Sequence, residues 1–203
     1  VEGEYGKTEM WYIIDAEPGA ELLYGFKREI SREEFEKRIR ENTLLDVVNS
    51  VPVKKGDVFF IPSGTLHAIG KGILIAEIQQ NSNTTYRIYD YGRLGADGKP
   101  RPLHIEKALD VTNRVYPPTQ RSFPLEKNEG YTAQKLAECE YFSVSRLNIQ
   151  NTAEIDVTSE SFMSLLLLCG EAEIRFGSGS IRLGKGETAF IPASDDVLEI
   201  KGE

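Results

Sequence analysis

His67 is the residue of this sequence whose type and surroundings best suit chemistry. It ends the stretch GDVFFIPSGTLH, residues 56–67. The apolar run over residues 58–61 predicts a short buried strand, and Pro62-Ser63-Gly64 predicts a tight turn after it. A neutral imidazole held in one orientation is the commonest metal ligand of proteins. An isolated histidine after a turn is more often a surface or core-capping residue, and this is the alternative for His67.

The spacing within this stretch decides between the two roles. Written as a pattern it is G-x5-P-x-G-x2-H, which resembles the second signature motif of the cupin β-barrels. In those barrels the glycine turn and the proline direct the histidine toward a metal inside the barrel. The resemblance therefore favours a metal ligand at His67.

Two more charged residues and a second histidine follow the motif. Glu77 lies in the apolar stretch ILIAEIQQ, residues 73–80, on one strand face with two isoleucines. A carboxylate there is costly unless it is paired or hydrated, and otherwise it points outward at a strand edge. Arg87 lies in a strand predicted over residues 86–91, where a solvated position is the simplest interpretation. His104 has no motif around it, so we expect a capping or surface role.

The elements that must position these residues begin with a strand over residues 7–14. Period-two alternation places Lys7 and Glu9 on the same face of this strand. A hairpin follows, and then a helix predicted over residues 31–49, which begins with a capping box at Ser31. The heavy charge of this helix indicates a solvated face.

The second half of the chain repeats the first. The segment KGDVFFIPS at residues 55–63 matches KGETAFIPA at residues 185–193 in register. We therefore predict a mainly β fold of two cupin-type antiparallel jelly-roll barrels with a few helices. The catalytic barrel spans 1–113, a linker rich in proline spans 114–130, and a second barrel spans 131–203. Because no histidine follows residue 104, the second barrel is predicted to be metal-free and structural.

Composition limits the possible partners and compartments. The 203 residues carry a net charge of −8 and are 40% hydrophobic, which argues against nucleic acid or an anionic membrane as a partner. No apolar run has the length of a membrane span. Cys139 and Cys169 lie in separate segments and are predicted to be free thiols of a cytoplasmic protein. Since the chain begins at Val1 with a strand running by Lys7, we expect the gene product to extend upstream.

Three strings carry a closer resemblance. GKTEMWY at residues 6–12, PSGTLHA at 62–68, and QNS followed by YRIYDY over 80–91 resemble the type I mannose-6-phosphate isomerases in their short bacterial form. The resemblance is strong from residue 6 to about 113 and weak in the second barrel. It implies a zinc-dependent enzyme that interconverts mannose 6-phosphate and fructose 6-phosphate.

The resemblance also implies roles for individual residues. Glu9 and His67 match zinc ligands, Arg87 matches the active-site arginine, and Lys7 matches a lysine of the pocket. The family's further ligands come from an upstream segment of the form x-V-H-P, which we expect before Val1. An isomerisation through a cis-enediol needs a group that carries a proton between C1 and C2; Glu77 is the candidate and Lys7 the rival.

Other functions stay open at this point. One is a different metal cupin, such as an oxygenase or an isomerase of another sugar phosphate, although an oxygenase usually has two or three histidines near the motif. Another is a sugar-binding protein without catalysis, which gains support if Lys7, Glu9 and Arg87 do not converge on His67. A small sugar phosphate is the expected partner, and the protein is expected to be a monomer or a homodimer.

Overall fold

The computed structural model of the chain describes residues 3, 5–90, 94–99, 101–117 and 119–202. The chain is mainly β, and all the strand pairings described in these ranges are antiparallel, which confirms the predicted fold class. No helix in the same ranges has the length and hydropathy to cross a membrane.

Contacts group the described residues into two compact units. The first unit extends to Arg121 and includes Cys139–Phe142. The second comprises Ser122–Glu138 and the chain from Ser143 onward. The domain boundaries predicted at residues 113 and 131 stay predictions.

The described residues of the first unit form two three-stranded sheets, ordered β4-β1-β6 and β3-β2-β5, and two α-helices. Its elements are β1 (Glu9–Ala16), β2 (Glu21–Phe26), α1 (Arg32–Arg40), β3 (Val48–Pro52), β4 (Val58–Ile61), β5 (His67–Ala68), β6 (Ile73–Gln79) and α2 (Ile105–Val111). The strands are rich in aromatic and β-branched residues, which suit a half-buried pleated surface.

Two apolar clusters form the core of the first unit. The sheet cluster consists of Trp11, Ile13, Leu22, Tyr24, Phe59 and Ile61. The helix cluster consists of Phe26, Ile30, Phe35, Ile39, Leu44, Val47, Val48 and Leu109. The helix cluster draws residues from both helices and from the adjoining strands, so it fixes α2 against the rest of the unit.

Helix α1 is shorter than the predicted 31–49. Its start is as predicted, since the Ser31 hydroxyl accepts a hydrogen bond from the backbone N–H of Glu34 at 3.1 Å. It ends at Arg40, after which Asn42 adopts a φ of +57°. A 3₁₀ turn at Leu44–Asp46 then leads into β3. The helical spacing of apolar residues extends past Arg40, but the segment that contains the β-branched residues Val48 and Val51 pairs with β2 instead.

The second unit holds three antiparallel sheets, ordered β7-β8-β9, β10-β15-β12-β13 and β11-β14. Its strands are β7 (Leu125–Asn128), β8 (Tyr131–Glu138), β9 (Ser143–Ile149), β10 (Thr152–Asp156), β11 (Met163–Leu166), β12 (Glu171–Phe176), β13 (Gly179–Gly184), β14 (Thr188–Ile191) and β15 (Val197–Gly202). The repeated segments form β4 in the first unit and β14 in the second. Each follows a glycine in the left-handed region, Gly56 at φ +92° and Gly186 at φ +86°.

Candidate functional site

Glu9 is a fully buried carboxylate at the start of β1, with 0% of its surface exposed. Because β1 is the central strand of its sheet, Glu9 is flanked by Ile61 of β4 and Gln79 of β6. A buried charge at such a position is costly unless other groups compensate it. The groups around Glu9 therefore decide what this site can do.

Two nitrogen groups from separate segments meet the Glu9 carboxylate. His67 Nε2 lies 2.8 Å from Oε1, and Lys7 Nζ lies 2.7 Å from Oε2. Burial raises the pKa of Glu9, but its interactions with His67, Glu77 and Lys7 outweigh burial and lower this pKa to about 2. Glu9 is thus ionised at neutral pH, although neither of its oxygens receives a well-aligned hydrogen bond.

The imidazole of His67 is held in one orientation. Its Nδ1 lies 2.8 Å from the carbonyl oxygen of Thr65, to which an Nδ1–H can donate. Its ring packs edge-on against Trp11, with centroids 5.1 Å apart. In the neutral ring this leaves the lone pair of Nε2 facing the Glu9 carboxylate. Two acceptors 2.8 Å apart require a shared cation, either a proton or a metal ion.

The turn that presents His67 depends on Gly64. This residue has a φ of +84°, and a Cβ built on it would lie 2.5 Å from the backbone oxygen of Val111. The turn is closed by a hydrogen bond from Thr65 N–H to the Pro62 carbonyl, 3.1 Å, and is tied to the segment after α2 by Asn113 N–H, which donates to the Gly64 carbonyl at 2.8 Å. Only glycine fits this combination of conformation and close approach.

Replacing Gly64 by alanine should therefore displace His67. We expect a loss of about 1–3 kcal/mol in the free energy of unfolding, since an alanine is strained at this φ, and a weaker affinity for added Zn²⁺. Gly186→Ala is the matched control, because Gly186 has a φ of +86° and no atom within 4 Å of its built Cβ. Calorimetry and zinc titration on the protein expressed from its complete gene would measure both. Equal zinc affinity in the two variants would contradict the role of Gly64.

Lys7 links two carboxylates. Its Nζ lies 2.7 Å from Glu9 Oε2 and donates a hydrogen bond of 2.7 Å to Glu77 Oε1. Burial lowers the pKa of Lys7, but the two carboxylates outweigh burial, and the net shift is upward. Lys7 is therefore a cation at neutral pH, placed where it can hold or stabilise negative charge.

Glu77 does not lie in the apolar setting that the sequence indicated. One carboxylate oxygen is bound by Lys7, and the other accepts a hydrogen bond of 3.1 Å from Trp11 Nε1. Glu77 pairs with Trp11 across β1 and β6, while Ile73 and Ile75 of the same face pack on the sheet cluster. Ile73 and Ile75 are thus partly buried, and Glu77 lies beyond them along β6 with its side chain 30% exposed.

The segment of Arg87 differs from the prediction. The described residues 86–90 form no strand, and Tyr91, which ended the predicted strand, lies outside the described residues. The backbone N–H and carbonyl of Arg87 bond instead to His104. The backbone N–H and carbonyl of Arg87, which would pair with a neighbouring strand, are therefore bonded to His104.

Among the described residues, no hydrogen bond or ion pair given for Arg87 joins it to the other four predicted site residues. Its Nε lies 3.5 Å from Asp90 Oδ1, and no contact described for it reaches the Glu9 or His67 side chain. The guanidinium is partly buried, with 27% of the side chain exposed. The prediction that Arg87 reaches the same cavity stays a prediction.

The resemblance implies a zinc ion, and the chemistry of the Glu9 and His67 side chains suits two of its ligands. The pair offers a buried, ionised carboxylate without a well-aligned hydrogen bond and an imidazole oriented through its other nitrogen. Within the described ranges no group of three or more histidine, cysteine or acidic side chains could hold a metal. The described chain thus supplies two ligands of the three that catalytic zinc usually takes from protein.

Two residues that the sequence analysis did not assign to the site, Thr65 and Gln80, hold its side chains and backbone in place through hydrogen bonds. The Thr65 carbonyl fixes the His67 ring. The buried Gln80 side chain accepts a hydrogen bond of 2.7 Å from the backbone N–H of Thr8, beside Glu9. A polar residue directly after an apolar strand was the available signal for Gln80, whereas a backbone carbonyl leaves no signal in a sequence.

Comparison with known protein families gives one match for part of the chain. The family model described as mannose-6-phosphate isomerase, cupin domain, matches residues 132–203. Apart from Cys139–Phe142, these residues belong to the second unit, where the resemblance of the sequence was weak.

Curated relatives match nearly the whole chain. The mannose-6-phosphate isomerase ManA of Bacillus subtilis is 38% identical over 200 residues, which is 98% of this chain and 63% of the relative. The mannose-6-phosphate isomerase of Streptococcus mutans is 38% identical over 202 residues, 100% of this chain and 63% of the relative. The chain therefore spans 63% of the length of these relatives.

Solved structures share the fold. The crystal structure of mannose 6-phosphate isomerase from Bacillus subtilis matches with a TM-score of 0.91 at 37% identity, over 99% of this chain and 63% of that chain. A zinc-bound mannose 6-phosphate isomerase matches with a TM-score of 0.61 at 14% identity, over 97% of this chain and 64% of that chain. At that identity the second match shows the fold alone.

Proposed function

Because the chain is a relative of the mannose-6-phosphate isomerases along nearly its whole length, we propose that its protein interconverts mannose 6-phosphate and fructose 6-phosphate. The observation that carries the proposal is the buried Glu9 carboxylate, in contact with His67 on one oxygen and with Lys7 on the other. The Glu9 carboxylate thus belongs both to the proposed metal site with His67 and to an ion pair with Lys7. Lys7 also pairs with a second carboxylate, Glu77. An aldose–ketose isomerase needs these kinds of group together.

We propose that Glu9 and His67 hold a zinc ion together with ligands that lie outside the described residues. The proposal is supported by the orientation of His67 and by the Glu9 oxygens, which lack well-aligned hydrogen bonds. When bound, zinc supplies an electrophile that polarises the sugar carbonyl.

The proton carrier in this proposal is Glu77. As a carboxylate it removes the proton from C2 of the aldose and returns it to C1 through a cis-enediol, while the hydroxyl proton of O2 moves to O1. Lys7 and Trp11 each bind one of its oxygens and so fix its orientation. The raised pKa of Lys7 favours a charge-stabilising role over proton transfer for that residue.

Arg87 is proposed to stabilise the negative charge that develops on the sugar oxygens. A guanidinium is always charged and offers several donors in a fixed geometry. Its partial burial beside Asp90 strengthens such an interaction relative to one in bulk water. This role requires substrate to lie between Arg87 and the Glu9–His67 pair.

A sugar-phosphate-binding protein without catalysis is the second candidate. It is favoured by one observation, that the contacts described for Arg87 do not reach His67. A cytoplasmic location and a monomeric or dimeric state remain part of the proposal in either case.

The test is a metal and activity assay on the protein expressed from its complete gene. We expect one zinc ion per subunit by elemental analysis and conversion of mannose 6-phosphate in a coupled assay. Removing the metal with a chelator should abolish turnover, and added Zn²⁺ should restore it, because the ion polarises the carbonyl. A protein that binds the sugar phosphate but converts none of it, with zinc bound, would contradict the isomerase and support the second candidate.

A further inference from the structure

The segment that carries Arg87 has no regular structure of its own. Residues 81–90 follow β6 and form neither helix nor strand. A side chain that must meet a reacting sugar cannot depend on such a segment unless other contacts hold the backbone. The contacts of Arg87 with the chain around it show what holds it.

His104 binds the backbone of Arg87 from both sides. The Arg87 N–H donates to His104 Nδ1 at 3.1 Å, and the His104 N–H donates to the Arg87 carbonyl at 2.7 Å. Both backbone polar groups of Arg87 thus bond to one residue, 17 positions later in the chain. Although His104 occupies the N-cap position of α2, its side chain makes no capping hydrogen bond. The imidazole is used for Arg87 instead.

The helix cluster anchors both ends of this interaction. Ile88, next to Arg87, and Ile105, next to His104, pack against that cluster. Leu109 of α2 belongs to the cluster and is 1% exposed. The core therefore fixes the position of His104. Through its two hydrogen bonds, His104 in turn fixes the backbone of Arg87.

The side chain of Arg87 is oriented by Asp90. Arg87 Nε lies 3.5 Å from Asp90 Oδ1, and Arg101 Nε donates to Asp90 Oδ2 at 2.7 Å. Arg101 also pairs with Oδ1 through its Nη2. Asp90 is thus held by Arg101 and in turn limits the directions open to the Arg87 guanidinium.

We propose that His104 is a positioning residue for Arg87. It fixes the Arg87 backbone through two hydrogen bonds, one to its imidazole and one from its own N–H, while the apolar core holds His104 in place. This inference rests on the proposed function, in which Arg87 acts on the substrate. It assigns to His104 an effect on turnover without any contact with substrate or metal.

The hydrogen bond to Nδ1 decides which substitutions preserve the effect. In the neutral ring Nδ1 accepts, and the proton resides on Nε2. Asparagine offers its Oδ1 as an acceptor at the same number of bonds from the backbone. Phenylalanine keeps the ring that packs edge-on near Tyr86, 6.1 Å between centroids, but has no acceptor.

The experiment compares His104→Phe and His104→Asn in the protein expressed from its complete gene. We expect His104→Phe to lower kcat for mannose 6-phosphate by about 10- to 100-fold, the loss typical of a catalytic group displaced by about 1 Å. Zinc content should stay at the wild-type level, and KM should change much less than kcat. His104→Asn should retain most of the wild-type kcat.

A double variant separates positioning from general stability. With Arg87→Ala already present, adding His104→Phe should lower kcat by no more than about threefold, since the residue being positioned is gone. A loss of the same size in both backgrounds would overturn the proposal. So would equal impairment of His104→Asn and His104→Phe, or a normal kcat in His104→Phe.

Folding and the proposed function have their own readouts. If His104→Phe does not fold, His104→Ala removes the same acceptor without added bulk and carries the same expectations. If the wild-type protein converts no mannose 6-phosphate, the proposed function fails, and hydrogen exchange over residues 81–90 then tests His104 by itself. Faster exchange in His104→Phe but not in His104→Asn is the expected result, and unchanged exchange would overturn the inference.

Discussion

Replacing His67 by alanine should remove most of the proposed zinc and most of the proposed isomerase activity from the protein expressed from its complete gene. Even residues that only orient a metal ligand typically change metal affinity about 10- to 100-fold, and the loss of a ligand should exceed that range. The change also leaves the buried Glu9 with one fewer compensating group, since His67 Nε2 lies 2.8 Å from its Oε1. Elemental analysis and the coupled assay measure both effects.

Thr65→Ala is the matched control for this prediction. Thr65 serves His67 through its backbone carbonyl, which alanine also provides. Zinc content and turnover should therefore stay near wild type in this variant. Full zinc occupancy in His67→Ala would remove His67 from the metal site and with it the main support for a zinc enzyme.

Replacing Arg87 by alanine should separate turnover from metal binding. Zinc content should be unchanged, because Arg87 makes no described contact with Glu9 or His67. Turnover should fall by about 10²- to 10³-fold, the loss typical when one donor to a developing negative charge is removed. Arg28→Ala is the control, since it removes a guanidinium that pairs with Glu34 at the surface of the same unit.

The comparison of kcat with KM makes the prediction specific. If Arg87 acts mainly on the transition state, kcat and kcat/KM should fall together. A rise in KM at unchanged kcat would mean that Arg87 binds substrate uniformly. Normal turnover at normal zinc content would remove Arg87 from the mechanism and weaken the proposed isomerase as a whole.

Local patterns predicted those parts of the site that depend on neighbours in the chain. The turn before His67 follows from Pro62-Ser63-Gly64, because proline fixes one dihedral angle and glycine alone accepts the φ of +84° at Gly64. The alternation of Lys7 and Glu9 on one face of the chain follows from the period of a strand, and Lys7 Nζ does reach Glu9 Oε2. The repeated segments predicted β4 and β14 because each places a glycine turn directly before a short apolar run.

The end of α1 could not be predicted in this way. Helical spacing of apolar residues continues beyond Arg40, although the helix ends there and the residues from Val48 onward pair with β2. Such pairing joins residues such as Phe26 and Val48 that are far apart in sequence. Propensity is a weak guide where two structures compete for the same residues.

The sequence by itself determined the residue types of this protein, its turns and the repeat that predicts a mainly β fold, since these depend on short-range geometry. The tertiary structure alone decided what surrounds each charge. Glu77 is held by Lys7 and Trp11 because β6 pairs with β1 across 66 positions of sequence. His104 binds Arg87 because the helix cluster brings α2 beside a segment without a strand. Contacts of this kind depend on register and packing, which no local pattern contains.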